Sequence, residues 1–404
     1  MKNLKIANEA MQEICEMTDL IVFSHLRWDF VFQRPQHLMS RFAKHRRVYF
    51  FEEPIFGTLS ASQIHIKECK NTGVRVVQPH LVKDLEPLEQ EAVLMELVDE
   101  LLIDEEIRNY NFWYYTPMAI PFSRHLNPNK IMYDCMDELS HFKGAPKNLL
   151  AFEAELMQNA DLVFTGGQSL YEYKKDLHYN IHPFPSSIDY KHFAQARMKV
   201  DEPADQKNIP HPRMGFFGVI DERMNIELLG EMATKRPEWQ FVIIGPIAKI
   251  DPETLPKNPN IHYLGQKSYD ELPSYLSGWD CAIMPFALND STKFISPTKT
   301  PEFLAAGRPV VSTSIRDVVQ PYGAEKLVYI ADTSDDFLRS IELAMAEKKN
   351  DPTWLQRVDK FLSDKSWDRT WARMAQLEIQ AGIQEPAFQT PWQEVSDKPV
   401  VELV

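Results

Sequence analysis

Brief β-rich apolar runs alternate with helical stretches along most of this chain, and the alternation comes in two series. The first opens with DLIVFSH (19–25), an apolar run ending in polar residues. RPQHLMSRFAKH (34–45) reads as a helix, with Leu38, Met39 and Phe42 at helical spacing, and RRVYFFEEP (46–54) is a second strand closed by Pro54. Strand, helix and strand over so short a span form a βαβ unit, which imposes a parallel sheet. Further strands are expected at 74–79, 111–117, 130–137 and 161–167, with helices at 89–103 and 148–160. A polar, proline-containing stretch follows at 196–213. The second series then runs MGFFGVI (214–220), a helix at 225–237, WQFVIIGP (239–246), IHYLG (261–265), a helix at 268–279, DCAIMPF (280–286), RPVVST (308–313) and KLVYIAD (326–332). The expected fold is therefore α/β, with two doubly wound Rossmann-like domains. The first takes residues 1–195, 196–213 is a linker, and the second takes 214–365. Residues 366–404 hold a last helix (366–382), with Trp367, Trp371 and Met374 on one face, and a tail from Ile383 expected to be extended or mobile. Residues 1–18 read as a short amphipathic helix.

A length of 404 residues also favours two cores over one. The net charge of −14 argues against a nucleic-acid partner, because a phosphate backbone would be repelled by the average field. It leaves room for a local basic pocket. Cys15, Cys69, Cys135 and Cys281 are far apart and form no CxxC pair, which fits a reducing, cytoplasmic setting. No signal peptide or membrane-spanning run is expected, so membrane contact is at most peripheral.

The segment IMPFALNDSTKFISPTKTPEFLAAGRPVVST (283–313) concentrates the groups suited to an anion. Ser296, Pro297 and Thr298 lie in a polar loop between a strand and a helix, and a helix N-terminus attracts negative charge. Lys299 and Lys293 add point charges suited to phosphate. The helix starts either at Pro297 behind a Ser296 cap or at Pro301 behind a Thr300 cap; the second is favoured, because proline inside a helix loses a hydrogen bond. Glu302 then sits in the first turns, either holding ribose hydroxyls or serving as favourable charge at a helix start. In GFFGVIDERMN (215–225), Gly218 marks a strand-to-helix turn and Arg223 precedes the helix. Its guanidinium can grip a diphosphate with two parallel bonds or pair with Asp221 or Glu222.

Together these segments resemble the retaining nucleotide-sugar glycosyltransferases of the GT-B, family-4-like group. The likeness runs through GFFGVIDERMNIELLGEMA, FVIIGP, NIHYLGQKSYDELPSYLSGWDCAIMPF and SPTKTPEFLAAGRPVVST. SHLRWDFVFQRPQHLMSRFAKHRRVYFFEEP and YDCMDELS are similar to a bacterial cell-surface polysaccharide branch, and SWDRTWARMAQLEI to a C-terminal helix crossing back to the first domain. The resemblance implies metal-independent sugar transfer, with no cofactor, from a nucleotide-sugar donor (a UDP-sugar in first place) to a hydroxyl acceptor. That acceptor is a carbohydrate, a lipid-linked sugar or a small molecule. It implies diphosphate contacts from Arg223 and Lys299, ribose contact from Glu302, and base contacts along the backbone of Tyr263, Leu264 and Gly265. Two positions depart from the pattern: Phe294 stands at the usual first glutamate and Val219 at the usual arginine after the glycine turn.

The N-terminal half is expected to supply the acceptor wall. Its candidates are Arg27, Trp28, Asp29, Gln33, Arg34 and His37, with Asp134 and Asp137 at a strand end. Trp28 can stack on a sugar ring or pack in the core, and His37 can be a polar contact or structural. No His/Cys/Asp cluster has metal-ligand spacing. Two rival functions stay open: a degenerate nucleotide-sugar binding or partner subunit, and a sugar-nucleotide epimerase on the same fold.

Overall fold

The computed structural model describes residues 18–198 and 200–381 of the chain, and in them the two series build two sheets. The helix expected over 1–18 (Thr18 aside) and the tail from Ile383 lie outside the described residues. The first sheet holds β1 (Asp19–Phe23), β2 (Val48–Phe51), β3 (Ile55–Gly57), β4 (Gln63–Glu68), β5 (Arg75–Val82), β6 (Tyr110–Tyr114), β7 (Ile131–Cys135), β8 (Leu162–Thr165) and β9 (Ile181–Pro183). Their order is β3-β5-β2-β1-β6-β7-β8-β9, and β4 runs antiparallel on β5. The second sheet holds β10 (Arg213–Phe217), β11 (Gln240–Ile244), β12 (Ile261–Tyr263), β13 (Cys281–Met284), β14 (Val310–Ser312) and β15 (Val328–Ile330), in the order β12-β11-β10-β13-β14-β15 with every pairing parallel.

Central strands such as LVFT of β8 and CAIM of β13 are buried along their whole length, which explains their continuous apolar sequences: helices cover both faces of a parallel sheet. The sequence pattern missed β3, β4 and β9. Two of these are only three residues long, and β4 (QIHIKE) is a largely exposed edge strand held by its pairing. In each sheet the chain starts near the middle, builds to one side and then returns to build the other. The reversal falls between β1 and β6 in the first sheet and between β10 and β13 in the second. Outside the carboxyl ends of strands at such a reversal, ligands bind.

Four helices bear on the site: α1 (Arg34–Phe42), α2 (Gln168–Lys174), α3 (Lys299–Ala305) and α4 (Trp367–Gln380). Although it follows the second sheet in sequence, α4 packs on the first. Trp367, Met374 and Ala375 share a buried cluster with Leu38, Met39 and Phe42 of α1. The buried Arg46 guanidinium donates twice to the Glu378 carboxylate, at 2.7 and 2.8 Å, and Asn111 adds a third bond at 2.7 Å. The last helix therefore ties the end of the second series to the first.

Candidate active site

The carboxyl ends of the two sheets face each other across a cleft of about 380 Å³. The first half lines it with residues that follow β1 and β7, among them His25, Phe30, Arg34 and Asp137. The second half contributes Gly218, Asp221 and Arg223 after β10, and Ser296 to Lys299 before and into α3.

The second wall carries unspent polar groups. Lys299 Nζ lies 3.3 Å from the Thr298 hydroxyl and has no carboxylate in salt-bridge range among the described residues. Burial holds its ammonium below the usual lysine range, against the pull of Glu302, and Arg223 pushes the same way as burial. One turn on, Glu302 is buried with Oε2 lacking any hydrogen bond, and burial raises its carboxyl to about 8 against the pull of Lys299. A buried carboxylate oxygen without a partner is costly, and a ligand hydroxyl would relieve it. Gly218, at φ +150°, brings the turn so close to Lys299 that a Cβ there would sit 2.9 Å from Lys299 Cε.

The helix start differs from both expected caps. Thr298 is the cap residue and α3 begins at Lys299, so Pro301 stands third in the helix. The first four N–H groups of a helix have no partner inside it, so proline costs no bond there. Ser296, Pro297 and Thr298 line the cleft. Arg223 also lines it, but its guanidinium is already engaged: Nε and Nη2 donate to Asp221 at 3.0 and 2.6 Å, above the Phe142 ring. Tyr263 and Gly265 sit at the edge strand β12, away from the lined cleft. The Tyr263 hydroxyl donates to the Pro256 carbonyl at 3.1 Å, and the Gly265 carbonyl accepts from Gly245.

The arginines of the first half are spent internally. Arg34 lines the cleft, yet it forks onto the fully buried Asp134 at 3.0 and 2.7 Å and donates to the Phe184 carbonyl at 2.7 Å. Asp137 reaches the cleft, where burial raises its carboxyl against the pull of Arg223, Arg34 and Lys299. Three acceptor candidates are corrected. Trp28 is 6% exposed, packed edge-on against Phe50 in the core, and its backbone N–H donates to Glu52 at 2.6 Å. Arg27 turns away to Glu52 and to the Glu53 and Pro54 carbonyls. His37 is buried, stacked on Trp367 at 4.6 Å, with its imidazole held neutral by burial. Each has an aromatic or acidic neighbour that sequence spacing does not reveal.

Sequence reasoning also missed His25 and Lys249, both at the cleft. His25 lies two residues past the end of β1, a position that could have drawn notice. Its Nδ1 has no partner, and burial lowers its pKa to about 4. Lys249 lies in a loop after β11 with no local signal.

Two doubly wound domains facing across a cleft, with a returning C-terminal helix, form the GT-B fold. Residues 211–347 match the family described as Glycosyl transferases group 1. The chain is 25% identical over 298 residues to the Bacillus subtilis (strain 168) protein named "Putative teichuronic acid biosynthesis glycosyltransferase TuaH", covering 68% of this chain and 72% of that one. Among solved structures it is similar to sucrose-phosphate synthase from Thermosynechococcus elongatus (TM-score 0.65, 15% identity, 90% of this chain and 98% of that one). It is also similar to Anabaena Alr3699/HepE in complex with UDP and glucose (TM-score 0.60, 14% identity, 90% and 98%).

Proposed function

We propose that the chain moves a sugar from a nucleoside-diphosphate donor, a UDP-sugar in first place, to a hydroxyl of a carbohydrate, lipid-linked or small-molecule acceptor. The transfer retains the anomeric configuration, needs no bound metal and takes place in the cytoplasm. The observation that carries this reading is the pair Lys299 and Glu302: a cation with only a hydroxyl beside it, next to a buried carboxylate oxygen with no partner. A diphosphate and a ribose diol satisfy both. The UDP-bound relative supports the base, and the teichuronic acid relative supports a polysaccharide acceptor.

In this reading Lys299 and Arg223 stabilise the charge that grows on the leaving diphosphate as the bond from sugar C1 to phosphate oxygen breaks. The backbone at Gly218 and Ser296–Thr298 seats the phosphates and Glu302 the ribose, and the base extends past the lined cleft toward the backbone of Tyr263 and Gly265. The acceptor oxygen bonds to C1 and gives its proton to the departing phosphate on the same face. Asp137 contacts the acceptor, and Arg34, locked to Asp134, holds the wall behind it. Closing the two halves keeps water from the sugar. Among the described residues no helix is long and apolar enough to cross a membrane.

The test is a thermal-shift screen of UDP-, GDP-, ADP- and dTDP-sugars followed by an assay of nucleoside-diphosphate release. Ligand at a hundredfold excess over Kd stabilises by about 2.7 kcal/mol, so a donor is visible as a rise in Tm. A UDP-sugar that raises Tm and is turned over supports the reading. Binding without release points to a binding subunit, and no shift with any donor contradicts it.

A further inference from the structure

Phe294 belongs to the second half in sequence, but its ring lies in the first half. It is 7% exposed and shares a buried cluster with Phe112, Ile131 and Leu170 beneath the first sheet. The ring stacks on Tyr173 of α2 at 4.5 Å and meets His141 at 5.6 Å. The same helix is held twice more by the second half. Asp317 accepts from the backbone N–H groups of Gln168 and Ser169 at 2.9 and 3.0 Å, and Arg316 pairs with Glu172. The approach is so close that a Cβ on Gly167 would lie 2.1 Å from Asp317 Oδ2 and 2.8 Å from Ser296 Cβ.

Phe294 is also joined to the donor loop by the shortest of tethers. Lys299 is five residues on, and between them the Ser296 carbonyl accepts from Ser186 of the first half at 2.6 Å. Before it, the Asp290 carbonyl lies 3.3 Å from His141 Nδ1. The segment 290–299 is thus pinned at three points to the first half, with an aromatic ring as the central pin. Aromatic pairs of this geometry add stabilisation beyond the area they bury, and the ring's burial exists only while the halves are together.

We propose that Phe294 is a positioning residue that couples the donor loop to domain closure: docking of its ring against α2 sets Ser296–Lys299 in their ligand-binding arrangement. The proposal rests on the donor reading of Lys299 for its functional half. Its structural half, the latch on α2, stands separately, and the two fail in distinguishable ways.

Amide hydrogen exchange of the unliganded full chain reads the latch. The amides of Gln168 and Ser169 are shielded by Asp317 only in the closed arrangement. Phe294→Ala is expected to speed their exchange about tenfold while leaving the central β1 amides at the parental rate. Tyr173→Ala removes the stacking partner from its half-open side and serves if the first variant does not fold; the same pattern is expected. UDP titrated into each variant reads the coupling, with Kd expected to rise about tenfold. Parental exchange at Gln168 and Ser169 overturns the latch. Faster exchange with parental UDP affinity overturns the coupling. A parent that binds no UDP defeats the donor reading, while the exchange result still decides the latch.

Discussion

On the first wall of the cleft Arg34 gives its guanidinium to Asp134 and Phe184, and Arg27 gives its own to Glu52 and two carbonyls. On the second wall Lys299 has only a hydroxyl within hydrogen-bond reach, and behind the lined surface Glu302 Oε2, which interacts electrostatically with Lys299, accepts no hydrogen bond. Both walls are rich in charge, and the residue types alone do not separate them. What differs for these four side chains is whether the fold itself satisfies their polar groups, and His25, whose Nδ1 has no partner, is the exception on the first wall. A polar group satisfied from within holds structure, whereas one left without a partner at a cleft is poised for a ligand. Arg223 and Asp137 lie between these extremes: Arg223 is paired with Asp221 yet faces the cleft, and Asp137 reaches it among three cations.

The comparison breaks most visibly at the first wall. Arg34→Ala leaves Asp134 buried and unpaired, and a loss of about 3–5 kcal/mol of stability is expected, read by denaturant unfolding. Trp28→Ala should cost a similar ~3–5 kcal/mol, because it empties a packed core site. If Trp28→Ala instead keeps its stability and raises the acceptor KM, Trp28 belongs to the acceptor site after all. Arg223→Ala tests the intermediate case. Loss of a charge-assisted bond should weaken diphosphate binding by about 1.5–3 kcal/mol and spare the nucleoside; equal affinities for parent and variant place the phosphate elsewhere.

Glu302 gives a pH signature. Its carboxyl is raised from 4.5 to about 8, so between those values the folded protein keeps a proton that the unfolded chain has released. Stability contributed by that protonated form falls as pH rises through the window, with a slope limited to ~1.4 kcal/mol per unit. Glu302→Gln has no such proton. Its stability relative to the parent should climb from pH 5 to pH 8, and a flat difference would contradict the burial argument. The smallest effect is expected from Arg27→Ala. The Arg27 side chain is 37% exposed and its partner Glu52 only 1%, but Glu52 keeps its bonds from the Trp28 N–H and the Gln78 amide, so the loss should stay near ~1 kcal/mol; a large loss of transfer activity would return Arg27 to the site.

The fold was largely legible because its long strands are continuous apolar runs and its helices keep their period. The short strand β9 and the edge strand β4 carry no such run and were not. In the site, the cleft placement of Gly218, Arg223, Ser296–Lys299, Arg34 and Asp137 followed from strand ends and turns. For Trp28 and His37 the sequence leaves cleft and core readings open, because their partners, Phe50 and Trp367, come from distant parts of the chain. Phe294 shows the same limit from the other side. Its sequence position marks a missing glutamate, and only the packing shows a ring seated in the opposite half.

The claim that the second wall is the ligand wall turns on Lys299. Calorimetric titration of UDP and of uridine into the parent and into Lys299→Ala tests it most directly. The account predicts that UDP binds the parent and weakens by about 1.5–3 kcal/mol, roughly ten- to a hundredfold, in the variant, while uridine binds both alike. UDP binding the two proteins with equal affinity would contradict it.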